Sequence, residues 1–349
     1  VGAGRKIGGA LIVLALYLET GLVGIAAANI ATTLLTGALF VGIVRRYVPW
    51  FGIARPAWHE IRQFFRLSGW FLVWFLVLQL IRSSDVIILG ILDSAETVTT
   101  YTLTKYIPET LITMIFVLVG SVTPGLGGII GNGELQRATV VRSEIMVLTW
   151  LITVGVGTSA IAWDETFLGL WVGSEHYAGS LATLLIVLMV AQFVLIQNDA
   201  RVIDLTLDIR QKVLVGLVAS GISIAIASVA LHVFDGGIVG LCLGFILGRL
   251  ILSVGYPAII GRFLNISLWH QFADVVRPGI VMSLFFVGAW GLSRYVATHG
   301  VLGADSWVGL ILYAGGTCGL TLLLSFFGGL TGLQRARIVQ RMRRSLPRR

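Results

Sequence analysis

The chain has 349 residues, of which 56% are hydrophobic and only 12% charged, with a formal net charge of +8; its mean hydropathy is +0.92. A water-soluble domain carries about a quarter charged residues, so that class is excluded. Apolar runs long enough to span as helices recur along the chain, which argues against an outer-membrane barrel with its short alternating segments. The composition predicts an all-α polytopic membrane protein.

Ten spans are predicted, near 7–20, 22–44, 67–92, 99–131, 145–163, 181–203, 213–233, 237–262, 276–297 and 306–330. Residues 7–20 read as a membrane helix rather than a leader, because Glu19 interrupts the run and a second span follows at once. Val1 opens the chain, and the expectation is that further chain precedes it. Pro108 and Pro124 predict a kink or an interfacial turn in the fourth span. Cys242 and Cys318 lie in apolar runs without partners at ligand spacing and read as small hydrophobes.

The links alternate in charge. One set carries Arg5, Lys6, Arg45, Arg46, Arg55, Arg62, Arg66, Arg137, Arg142, Arg201, Arg210, Lys212, Arg262, Arg277 and seven arginines of the tail. The other carries Glu19, Asp93, Glu96, Asp164, Glu165, Glu175, Asp235 and Asp305, with no Lys or Arg. The positive-inside rule makes the first set cytoplasmic, together with both ends of the chain. This is the expectation for a multi-pass protein of the cell (cytoplasmic) membrane.

Two basic links read as surface segments. In RPAWHEIRQFFR, Trp58, Ile61, Phe64 and Phe65 share one helical face, opposite Glu60, Arg62 and Arg66. The tail places Ile338, Val339 and Met342 among arginines. Both suit anionic membrane lipid, and a plain topology anchor is the simpler alternative. No nucleic acid is expected as a partner.

GLVGIA at 21–26 resembles GIVGLC at 237–242, and Arg46 stands to the first copy as Arg262 does to the second. AWHEIRQFF before the third span likewise resembles LWHQFADVV before the ninth. A parallel repeat would give residues 67–262 a six-helix lobe and leave residues 1–48 as the last two helices of an earlier lobe, about four helices of which would precede Val1. Residues 49–66 then form a linker, 263–330 two added helices and 331–349 a basic tail.

The ionisable residues inside apolar runs carry the functional argument, since each is costly at membrane depth. Arg82 and Asp85 share a helical face, and Lys105 and Glu109 follow in the next span. Arg249 has no acid within a helical turn, so it is expected to line a cavity, to pair with Asp199 or Asp204, or to snorkel. Asp85 either neutralises Arg82 or holds it toward a phosphate, a ligand that guanidinium grips through two parallel bonds. Asp199, Asp204 and Glu109 are candidate coupling-ion sites, with ordinary boundary charges the alternative for the two aspartates. Gln79, Gln192, Gln197, Asn198 and Asn29 could bond sugar or join helices. Glycine clusters at 155–157 and 315–319 lack a Walker lysine, His59–Glu60 is not HExxH, and no metal, cofactor or catalytic set is read.

The stretch SSDVIILGILDSAETVTTYTLTKYIPETL, with Asp85, Leu89, Gly90, Tyr101 and Lys105, resembles the seventh and eighth helices of the polysaccharide and lipid-linked oligosaccharide flippases within the multidrug/oligosaccharidyl-lipid/polysaccharide exporter superfamily. The resemblance covers the chain as helices five to fourteen. It implies a partial six-plus-six exporter fold with two extra helices. It also implies a central basic cavity in which Arg82, Lys105 and Arg249 meet the phosphate of a polyprenyl-linked oligosaccharide. The expected function is flipping of that lipid by alternating access, with no cofactor and no enzyme chemistry. The alternatives are a multidrug exporter of the same superfamily, a membrane-embedded glycosyltransferase or polymerase, and a non-transporting scaffold.

Overall fold

In the computed structural model, residues 8–11, 13–14, 17–18, 21–48, 56–234, 236–301, 303, 306–332 and 334–336 are described. The expected first span and the basic tail lie mostly outside them. Among the described residues there is no strand, and nine helices are long and apolar enough to cross a membrane. They are α1 (Gly21–Tyr47), α2 (Trp58–Leu92), α3 (Ala95–Gly131), α4 (Leu135–Trp171), α5 (Ser180–Asp204), α6 (Arg210–His232), α7 (Gly237–Leu264), α8 (Leu268–His299) and α9 (Trp307–Gly328). The protein is therefore an all-α multi-pass membrane protein.

The chain divides into two compact units, Val1–Phe65 and Arg66–Arg349. In the first unit, α1 exposes Val23, Ile30, Leu34 and Leu39, as a helix surrounded by acyl chains would. Near Trp58, Glu60 Oε2 accepts from the backbone N–H of Ala57 at 2.8 Å and so caps the start of α2. Trp58, Phe64 and Phe65 are all exposed. The amphipathic link and the third predicted span form one continuous helix rather than two pieces.

In the second unit, successive helices run antiparallel around α4 and α5. The α6–α7 hairpin is the closest packing: a Cβ at Gly244 would stand 2.5 Å from the Ala227 Cα, and one at Gly248 2.4 Å from the Ser223 Cα. Only glycine lets backbones approach this way, the small-residue packing that replaces a hydrophobic driving force in lipid. Helix α3 runs unbroken through Pro108 and Pro124, so the predicted interfacial turn is absent. Helix α4 has 37 residues, roughly 55 Å at the α-helical rise, against a hydrocarbon core of about 30 Å. Its extra turns absorb what the sequence presents as links on both sides, and Asp164 falls inside it. The two glycines that open the repeat motifs, Gly21 and Gly237, both start a helix and both have a left-handed backbone, φ 60° and 52°.

Candidate functional site

The α2–α3 hairpin sets the site. Asp93 accepts from the Ser94 N–H at 2.7 Å and the Thr97 hydroxyl at 2.9 Å, while Ser94 caps α3 by accepting from the Thr97 N–H at 3.1 Å. This polar turn fixes the register of the two helices. Asp85 on α2 consequently meets Tyr101 and Lys105, which are one helical turn apart on α3.

Both partners converge on one oxygen. Lys105 Nζ and the Tyr101 hydroxyl each donate to Asp85 Oδ2 at 2.6 Å. The other carboxylate oxygen accepts from the Val86 N–H at 2.9 Å. Asp85 is 1% exposed, Tyr101 0% and Lys105 6%. The ion pair of Asp85 is thus with Lys105 across the hairpin, and not with Arg82 on its own helix as the spacing allowed.

Arg249 enters from α7. Its Nη2 donates to the Ile81 carbonyl at 2.6 Å, and the guanidinium lies over the rings of Phe245 (5.1 Å) and Phe193 (5.7 Å). It is 4% exposed, and no carboxylate among the described residues forms a salt bridge with it. A carbonyl and two ring faces hold a buried cation in place without cancelling its charge.

Arg82, Asp85, Lys105, Glu109 and Arg249 line one cavity together with Ile112, Met189 and Phe193, and Arg82 is the exposed member of the set. Three formal cations there face two carboxylates. The cavity measures about 20 Å³, room for about one water, so this conformation is closed to any sugar.

The remaining predicted residues lie elsewhere. Gln79 is exposed and donates to the Ser83 hydroxyl of its own helix at 2.8 Å. Asp199 pairs with Arg142 at 2.7 Å, and Arg142 also donates to Gln271 at 3.0 Å, linking α4, α5 and α8. Asp204 pairs with Lys212, whose ammonium lies 3.6 Å from the Trp74 ring centroid. Neither aspartate is near Arg249. Gln192 bonds the Ile246 carbonyl and Ser253, and Asn198 bonds Thr149 at 2.7 Å, so both join helices. Arg294 on α8, which the sequence does not bring to the site, is exposed with its guanidinium over the Trp290 ring.

Comparison with protein-family models, curated proteins and solved structures finds no match to this chain. One buried group was not a candidate in the sequence. Asp164 is 1% exposed, and neither carboxylate oxygen has a hydrogen-bond partner among the described residues. Its neighbour Glu165 and the drop in hydropathy made it read as part of an outer link. Only the extension of α4 to Trp171 shows it to be internal.

Proposed function

We propose that this protein is a transporter that flips a lipid-linked oligosaccharide, carried on a polyprenyl phosphate, from the inner to the outer leaflet of the cytoplasmic membrane. The single observation that supports this reading is Arg249: a buried cation that forms no salt bridge among the described residues, held at one cavity with Arg82 and the Lys105–Asp85 pair. A cavity with more cation than anion suits a phosphate headgroup, which would supply the missing negative charge. Opening of the cavity, from its closed size to one that admits sugar, is the alternating-access step. The basic links lie cytoplasmic in this reading, where they and the Trp58–Phe65 segment meet anionic lipid.

A multidrug exporter would need a cavity suited to cationic drugs, and the balance of charge here opposes it. The test uses cells whose surface polysaccharide depends on this protein. Arg249→Ala and Arg82→Ala are expected to cut surface polysaccharide about ten- to hundredfold, the worth of one charge-assisted contact to phosphate. Normal polysaccharide in both variants, with resistance to cationic dyes lost instead, would favour the exporter.

A further inference from the structure

The outer third of α4 holds a second polar site, apart from the central cavity. Gly157 on α4 faces Phe286 of α8 and Val187 of α5, where a Cβ would stand 2.8 and 3.0 Å from them. Seven residues on, two helical turns, the same face of α4 presents Asp164. Seven residues beyond Phe286 on parallel-running α8 stands Ser293, 3% exposed. Four residues before Val187 on antiparallel α5 stands Thr183, 0% exposed. The register therefore brings Asp164 and Ser293 to a common level, with Thr183 about 4.5 Å nearer the Gly157 crossing at 1.5 Å per residue. Tyr177 enters from the turn between α4 and α5. Its hydroxyl lies beside those of Thr183 and Ser293 and in the field of Asp164, without a hydrogen bond of ordinary geometry.

An unpartnered buried carboxylate is rare, because losing water without gaining donors is costly. The other titratable groups at this end do not relieve it. Glu165 on α4 is half-buried and acidic. Glu175 and His176 on the turn are within 4.0 Å of each other, Arg294 and His299 on α8 are exposed, and Tyr313 lies on α9. Lys105 on α3 is committed to Asp85. None forms a hydrogen bond or ion pair with Asp164. Burial pushes the Tyr177 phenol up to about 12, so it stays a neutral oxygen donor at physiological pH. Of these four residues only Asp164 carries a charge, and Glu165 beside it adds to the negative field at Tyr177.

We propose that Asp164, with the hydroxyl oxygens of Tyr177, Thr183 and Ser293, forms a site for one small monovalent cation, sodium or a proton. The donors are all hard oxygens, the set that suits such ions. A single carboxylate is balanced by a single positive charge, and a divalent ion would leave an excess buried in the bundle. If the protein transports as proposed above, this is the place where an ion gradient acts on it. Asp199 and Asp204, each already paired with a protein cation, are poorer places.

The test is thermal unfolding and tryptophan fluorescence of the whole chain in detergent, with Trp163 beside Asp164 as reporter. One arm titrates sodium chloride against choline chloride at fixed pH. The other varies pH in sodium-free choline buffer. The expected result is a saturable rise in Tm in one arm, which names the ion, and its loss in Asp164→Asn. Ser293→Ala and Thr183→Val should weaken half-saturation by about tenfold, the loss of one oxygen contact, and they carry the test if Asp164→Asn does not fold. Glu165→Gln should respond as the unmodified chain does. Equal responses of the unmodified chain and the site variants in both arms would overturn the site. That outcome would leave the oligosaccharide reading standing, since the assay involves no lipid substrate.

Discussion

Asp85 accepts from a lysine, a tyrosine and its neighbour's backbone at once, so its removal should be felt by several groups. Asp85→Asn leaves Lys105 as a buried cation without its counter-charge. Breaking a buried pair from one side costs about 3–5 kcal/mol, which should appear as a lowered Tm in detergent. The double variant Asp85→Asn/Lys105→Gln removes both charges and should regain part of that loss. A fully additive double variant would show that the two residues do not act as a pair. Arg142 makes the same kind of link between α4, α5 and α8, and Asp199→Ala is expected to destabilise to a similar extent.

At the scale of elements, the α6–α7 hairpin depends on glycine where backbones nearly touch. Gly248→Ala drives a methyl group to within 2.4 Å of the Ser223 backbone, and Gly244→Ala does so at Ala227. Each should cost about 1–3 kcal/mol as the helices are forced apart, read as a drop in Tm. Gly221→Ala, on α6 with open space around it, should instead be neutral or stabilise by about 0.5–1 kcal/mol, as Ala replaces Gly inside a helix. Equal losses at all three positions would mean that helix propensity, and not close approach, explains the first two. The two similar six-residue stretches belong to this scale too: the glycine that opens each, Gly21 of α1 and Gly237 of α7, has a positive φ.

Across the whole molecule, the alternation of charge predicts orientation. In a background with Cys242 and Cys318 replaced, a cysteine at Ser94 or Ser174 should react with an impermeant maleimide applied to intact cells. One at Gln136 or Asp208 should react only after permeabilisation. The opposite pattern would invert the protein in the membrane and, with it, the direction of any transport. Span spacing was readable because apolar length is a local property: of the ten predicted spans nine are seen among the described residues, and α3, α5, α6 and α7 fall close to where hydropathy puts them. The ends of α4 were not readable. Its C-terminal turns are polar enough to imitate a loop, and they remain helical because α5, α8 and α9 pack around them.

The sequence by itself determined that the chain is a bundle of membrane helices with its basic links on alternate turns, since hydropathy and charge act over a single span. It also marked Asp85, Lys105 and Arg249 as costly, and therefore as residues that need an account. Which partner each one takes was decided only by the tertiary structure. Asp85 can reach Arg82 along its own helix, yet it bonds Lys105 because the Asp93–Ser94 turn sets the register of α2 against α3. Arg249 forms no salt bridge among the described residues because α7 delivers it to a carbonyl and two aromatic faces. Asp164 is isolated because three helices close around it, and no feature of its immediate sequence carries that information.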